Sequence, residues 1–209
     1  MRNNVCKICR RIGEKLFLKG ERCVSPKCAM IKRAYPPGPK AKRRKGETSD
    51  YGKELREKQK LKNWYLLGER QFKNYVNKIL RKKSKIEDAP SELVKMLETR
   101  LDNVVFRLGF AQSRKQARQM VSHGHFLVNG KPVNIPSFQL KKGDVIELKK
   151  TKEAKTLFKN VAVSLKKFQP PSWLSLEKGK VAGKIIGQPN LEEAGLPAEI
   201  SSVFEFYSR

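Results

Sequence analysis

The sequence predicts an α+β fold: a mostly helical N-terminal part carrying a four-cysteine metal site, followed by two short helices packed on a small antiparallel β-sheet. Three observations predict it. All four cysteines fall within residues 1–33, in two close pairs. Apolar residues then recur at helical spacing, most clearly Phe72, Tyr75, Val76, Ile79 and Leu80 at i, i+3, i+4, i+7 and i+8. Finally, Asn129-Gly130 lies between Phe126-Leu127-Val128 and Val133, the strongest short hairpin signal a sequence carries.

The cysteines read Cys6-x-x-Cys9, thirteen residues, then Cys23-x-x-x-x-Cys28. Two close pairs joined by a short loop are what a tetrahedral four-thiolate site requires, each pair turning both sulfurs onto one ion. Lys7, Arg10, Arg11 and Lys27 offset the negative charge of four thiolates. The bland alternative is four unrelated buried cysteines. With all four positions filled by sulfur no open site remains for a substrate, so the expected role is structural. Zinc is the default ion, and a four-iron–four-sulfur cluster uses the same four thiolates.

Residues 34–50 are read as an extended basic arm, denied a helix by Pro36, Pro37 and Pro39 and denied a compact state by Lys42, Arg43, Arg44 and Lys45. A helical domain is expected over 51–90. Its first helix starts at Ser49-Asp50 and carries Leu55, Leu61, Trp64, Tyr65 and Leu67, and Gly68 divides it from the second. Asp88-Ala89-Pro90-Ser91 is a boundary opening a domain over 91–194. Ser91 is expected to cap one helix with Leu93, Leu97, Leu101, Val104, Val105 and Leu108 on its apolar face, ended by Gly109. Ser113 then caps a basic helix while Gln116 reaches back to the capping residue's amide; Ala117, Met120 and Val121 face in, and Gly124 ends it. Strands follow around 126–135 and 143–149. A helix over 154–168 buries Leu157, Phe158, Val161 and Leu165, and a Gly-rich strand pair lies near 176–187. The tail from 195 to 209 carries apolar Val203, Phe204 and Phe206.

Charge narrows the partner. Against 47 Lys+Arg stand 20 Asp+Glu, a formal net charge of +27, of which +18 falls in residues 1–90. Such a field attracts polyanions and speaks to partners, not to fold. No apolar stretch approaches the ~20 residues a bilayer span needs. A cysteine stands at position 6, where a secretion signal would need its hydrophobic region, so a reducing intracellular setting is expected. Arg100-Leu101-Asp102 admits one enzymatic thought, a pseudouridine-synthase-like catalytic aspartate, but no second convergent group accompanies it. A zinc-dependent DNA-binding regulator would need a recognition helix placed by its metal and a dimer interface, and neither is evident. RNA is the expected polyanion, bound by cations on the arm and on the two short helices.

Ordered motifs carry a resemblance. Gly13-Glu14-Lys15-Leu16-Phe17-Leu18-Lys19-Gly20-Glu21-Arg22-Cys23 leads to Tyr35-Pro36-Pro37-Gly38, then to Asp50-Tyr51-Gly52 with Leu55-Arg56-Glu57-Lys58-Gln59-Lys60-Leu61. Glu69-Arg70-Gln71-Phe72, the run from Arg100 to Gly130, and the ending Glu205-Phe206-Tyr207-Ser208-Arg209 complete the set. Together they resemble the bacterial small-subunit ribosomal protein S-four family, in its four-cysteine metal-binding type, over nearly the whole chain. One departure is visible: the family commonly follows Pro-Pro-Gly with a short His-Gly element, whereas here Pro39-Lys40-Ala41 and a longer basic run stand in its place.

The resemblance implies a helical domain into which the RNA-binding domain is inserted, its characteristic module spanning about 98–162, with residues from 195 onward returning to the helical domain. It implies a cytoplasmic protein of the small ribosomal subunit that binds the five-prime domain of its RNA at a multi-helix junction, nucleates assembly and influences decoding accuracy. Implied partners are ribosomal proteins S-five and S-three, and messenger RNA near the entry channel. The residues expected at the RNA are Arg43, Arg44, Lys45, Tyr51, Lys58, Gln59, Lys60, Lys62 and Arg70 in the first half. In the second they are Arg100, Asn103, Arg107, Ser113, Arg114, Lys115, Arg118, His123, His125, Asn129 and Lys131. A free RNA-binding or RNA-modifying factor built on the same module is the alternative.

Overall fold

A computed structural model describes residues 5–38, 48–81, 88–149, 151, 158, 161, 164–165, 168–177 and 181–208. The chain divides into two compact units, residues 1–93 with 195–209, and residues 94–194.

In the first unit, α1 (Val5–Ile12), α2 (Glu21–Val24) and α3 (Ala29–Lys32) precede α4 (Asp50–Trp64) and α5 (Glu69–Leu80). Val5, Cys9, Ile12, Leu16 and Leu18 form a small core around α1, with Trp64 and Met30 packed against it. Arg56 of α4 ties this core down by donating from Nε (3.1 Å) and Nη2 (2.5 Å) to the Ile12 carbonyl at the end of α1. Ser49 caps α4, its Oγ accepting from Gly52 N at 3.3 Å, which satisfies one of the orphan amides of the first turn. Helix α5 buries Phe72, Val76 and Ile79, the expected face. The chain's last helix, Ile200–Ser208, buries Val203 and packs on α4 and α5.

Helix α6 (Ala89–Glu98), within which the division falls, departs from expectation at both ends. It begins before Ser91, and the cap is Asp88, whose carboxylate accepts from Ser91 N at 3.3 Å and from Ser91 Oγ. An aspartate there serves the first turn with charge as well as geometry, and Pro90 fits early in a helix, where its missing N–H costs nothing. The single helix expected to run on to Leu108 is broken. Arg100 is extended (φ −68°, ψ 138°) and bridges to Gln139, while Leu140 N and Leu101 N bond Thr99 O and Phe138 O. Helix α7 (Leu101–Arg107) restarts after this two-residue join, with Gly109 beyond it at φ 77°.

Helix α8 (Arg114–Ser122) is capped by Ser113 Oγ, which accepts from Gln116 N at 3.3 Å. Gln116 does not reach back to the Ser113 amide; its Oε1 accepts from Gln112 N instead, one residue earlier (2.9 Å). A five-stranded antiparallel sheet follows, in the order β2-β1-β3-β5-β4, with β1 Phe126–Val128, β2 Lys131–Pro132, β3 Val145–Leu148, β4 Leu174–Leu176 and β5 Ala182–Ile185. Asn129 and Gly130 both have positive φ (50° and 75°), as a two-residue turn matched to strand twist demands. Ile146 pairs with Gly183, and a Cβ on Gly183 would fall 2.6 Å from a Leu108 methyl, so the absent side chain lets the end of α7 lie on the sheet. Leu101, Val104, Val105, Phe110, Ala117, Met120, Phe126, Ile146, Phe158 and Trp173 belong to one core between helices and sheet. Of the helix expected over 154–168, Phe158, Val161 and Leu165 join that core, and Leu157 lies outside the described residues. Helix α9 (Leu191–Ala194) closes this unit, and the terminal helix Ile200–Ser208 is α10.

Candidate nucleic-acid interface

Helices α7 and α8 pack together, and two carboxylates organise the cations between them. Asp102 sits on α7 with both oxygens occupied: Oδ1 accepts from Arg100 Nε and Oδ2 from Arg100 Nη2, each at 3.0 Å. Oδ2 also accepts from Arg118 Nε (2.8 Å) and Nη2 (2.6 Å) across the helix pair. Glu98, 1% exposed, accepts from Asn103 Nδ2 at 2.7 Å and from Arg107 Nε and Nη2 at 2.8 and 2.9 Å. Asn103 Oδ1 then accepts from Arg114 Nε at 2.8 Å, and the Arg114 guanidinium lies over the Phe106 ring at 4.6 Å. Charge-assisted and bidentate bonds of this kind fix planar guanidinium groups, so the half-buried Arg114 and Arg118 are presented in set orientations beside Lys115 on α8.

This geometry reassigns two expected contact residues. Arg100 and Asn103 are each 2% exposed, and their polar groups bond Asp102, Glu98 and Arg114. They are buried and join the networks that hold Arg114 and Arg118, which are half-buried. Arg107 is part-buried and also donates to the Ala194 carbonyl at 2.7 Å. Ser113 is occupied as a cap.

At the far end of α8, His123 is exposed and His125 is buried, with rings nearly parallel (11°) and centroids 6.0 Å apart. Asn129 is exposed, but its amide locks the turn, donating to Asp144 Oδ1 and accepting from Val145 N, each at 2.9 Å. Lys131 is exposed on β2, and so are Lys141 and Lys142 before β3. Lys149, which the sequence did not single out, bonds through its backbone N to His125 O at 2.9 Å. Only that strand pairing brings it beside the helix end, so no local pattern could have found it.

The first unit uses several expected contact cations internally. Lys58 and Lys60 are buried. Lys58 bonds Glu69 at 2.6 Å, and Lys60 bridges Glu14 and Glu57, each at 2.8 Å. Burial pulls Lys60 down, but the hydrogen bonds to Glu14 and Glu57 outweigh it and raise its pKa above the ordinary lysine value. Lys62 takes the other Glu69 oxygen at 2.9 Å. Gln59 is half-buried and Arg70 is exposed. Tyr51 is exposed with its ring 5.4 Å from that of Phe206. Arg43, Arg44 and Lys45 lie outside the described residues.

Cys6, Cys9, Cys23 and Cys28 all line one small cavity of about 20 Å³, room for a single small ion or water. Burial raises the Cys9 thiol pKa; a backbone hydrogen bond at Leu16 opposes this, and the other three sulfurs add to it by repulsion. The Lys19 amide donates to Cys23 Sγ at 3.3 Å. Among the described residues no three or more His, Cys, Asp or Glu side chains are grouped as a metal ion requires.

Two oriented guanidinium groups and a lysine on a capped helix, backed by a small sheet in a chain of net charge +27, have the make-up of a polyanion-binding module. Residues 1–98 match the model of the ribosomal protein S4/S9 N-terminal domain, and residues 99–146 match that of the S4 domain. The small ribosomal subunit protein uS4 of Syntrophomonas wolfei is 45% identical over 207 residues, covering 99% of this chain and 98% of the relative. Those of Halothermothrix orenii and Thermotoga petrophila are 47% and 46% identical over 206 residues, each covering 98% of this chain and 97% of the relative. The chain therefore belongs to the uS4 family of ribosomal proteins.

Proposed function

We propose that this chain is a structural constituent of the small ribosomal subunit, not an enzyme, and that it binds the five-prime domain of the subunit's RNA at a helical junction. The observation that carries the reading is the full-length likeness to relatives named small ribosomal subunit protein uS4. The Asp102 and Glu98 networks supply a physical account of the binding: phosphates meet guanidinium groups whose planes are already fixed, so little ordering cost remains at association. Shape and backbone contacts then select a junction better than any base-by-base code could. Nucleation of assembly, an influence on decoding accuracy, and contacts with ribosomal proteins S-five and S-three and with messenger RNA near the entry channel are further parts of this proposal. Its test is competition between the five-prime domain and a scrambled RNA of equal length at two salt concentrations. A preference for the native RNA that survives higher salt supports it. Equal binding that collapses with salt would point to charge alone, and to the free RNA-binding factor.

Cys6, Cys9, Cys23 and Cys28 line one small cavity and thiolates are the ligands a soft divalent cation takes, so zinc is the proposed occupant, with a four-iron–four-sulfur cluster as the alternative. Cys6, Cys9, Cys23 and Cys28 would hold it, and its contribution would be cross-linking a segment whose own core is five residues. Metal analysis of the native chain is expected to give one zinc per chain, lost together with protease resistance of residues 1–33 in Cys28→Ser. A metal-free chain equally resistant to protease would remove the metal from the account.

A further inference from the structure

Gln116, Gln119, Met120, His123 and His125 line a cavity of about 280 Å³ at the C-terminal end of α8. Gln116, Met120 and His123, at i, i+4 and i+7, form one stripe of the helix, with Gln119 beside them, and the chain turns back at Gly124 (φ 63°) to bring His125 alongside. The floor is the buried Met120, soft and polarisable. One wall is the exposed His123 ring, parallel to His125 behind it, while His125 is itself braced edge-on by Phe158 at 5.5 Å. Gln119 is exposed, with an amide that both donates and accepts. Lys149 stands close by, its Nζ 3.8 Å from where a Cβ on Gly124 would lie, between His123 and His125 in the chain. Among the described residues lining the cavity none is acidic.

A flat π face, a soft floor, a two-way hydrogen-bonding amide and an adjacent ammonium match the parts of a nucleotide. They are poorly suited to an apolar side chain, which would leave the Gln119 amide and the exposed His123 imidazole unused. We propose that this cavity seats one unstacked nucleotide of the bound RNA. Its base lies against His123, its edge meets the Gln119 amide and its phosphate meets Lys149. Single-stranded bases splayed from junctions and loops are the parts of RNA that proteins read in this way. The inference rests on the RNA-binding reading above and adds a base-reading site to an interface otherwise made of phosphate contacts.

The test uses the full chain bound to a transcript of the five-prime domain, with chemical probing of the Watson–Crick edges of unpaired bases. The unaltered chain is expected to protect one unpaired base that His123→Ala and Gln119→Ala leave reactive. His123→Ala should weaken binding about tenfold, the scale of one lost base stack, with no change in the salt slope. Lys149→Ala should lower that slope by about one unit. His123→Phe, which restores a stacking face without a charge, should bind as the unaltered chain does. His123 is exposed, so these changes leave the fold intact, and unchanged melting temperatures check it. Protection and affinity that stay the same in His123→Ala and Gln119→Ala would overturn the seat while leaving RNA binding in place, and so would His123→Phe failing as badly as alanine. Should the unaltered chain show no preference for the transcript over a scrambled RNA, both readings fall.

Discussion

Asp102 shows at the scale of one residue why a charge in a sequence is not yet a contact. Its carboxylate is buried and serves Arg100, which has no exposure to speak of, and Arg118, which has some. Breaking a buried pair from one side leaves the other charge without compensation, a loss of about 3–5 kcal/mol. Asp102→Ala is therefore expected to destabilise residues 94–194 by that order, read from urea unfolding with Trp173 fluorescence in a Trp64→Phe background. Arg100→Met combined with Asp102→Ala should recover much of the loss, because it removes the stranded guanidinium. A single-variant cost below about 1 kcal/mol would show that the pair is not the anchor it resembles. The Arg-Leu-Asp triplet sets the two partners two residues apart, but nothing local in it carries the depth of Arg100. That depth depends on the bridge to Gln139, thirty-nine residues away, which also breaks the helix expected to run on from Leu97. Lys58, Lys60 and Lys62 follow the same rule: their charge is plain in the sequence, but Glu69 and Glu14 become their partners only when helices and loops assemble, and only the Lys60–Glu57 pair, one turn apart on α4, is local.

Among elements, α10 is joined to α4 and α5 through a cluster centred on Glu69. Lys58 and Lys62 of α4 and Tyr207 of α10 all donate to its carboxylate, and the Lys58 ammonium lies 4.4 Å from the centre of the Phe206 ring. Partial burial pushes Glu69 up, but the three hydrogen bonds outweigh it and hold its pKa down to about 2, against an ordinary value of 4.5. Tyr207 is raised, by burial first and then by its bond to the carboxylate. A folded-state pKa below the unfolded one contributes stability above the unfolded value and loses it as pH falls through the folded value. The Glu69 contribution is thus full above about pH 5 and fades toward pH 2. Because the carboxylate is about half exposed, screening keeps its worth to about 1 kcal/mol or less. Glu69→Gln should therefore melt slightly lower than the unaltered chain at neutral pH, with the gap closing as acid is added. A carboxyl NMR titration should place the Glu69 midpoint near 2; a midpoint near 4.5 would mean that α10 is not held through this group. The local signals for these helices were readable because caps and apolar spacing are near-neighbour properties, as at Ser49 and Ser113. The cap of α6 is not settled by local pattern, because Asp88 and Ser91 are both good capping residues, and the backbone takes the charged one.

For the whole molecule, net charge and surface arrangement make separate claims on RNA. A +27 chain binds any polyanion, and each phosphate contact it makes steepens the fall of affinity with salt. What the second unit adds is a pair of guanidinium groups locked by Asp102 and Asn103, and locked groups favour one backbone geometry over others. Arg114→Ala with Arg118→Ala should weaken binding to the five-prime domain and lower the salt slope by about 1.4 to 1.8 if each meets one phosphate. Binding to a scrambled RNA should fall much less, because flexible exposed lysines such as Lys141 and Lys142 can substitute on an unstructured partner. An equal fall on both RNAs would mean that the two arginines act as charge alone. An unchanged slope on both would place them off the RNA, with the Asp102 network serving only the packing of α7 against α8.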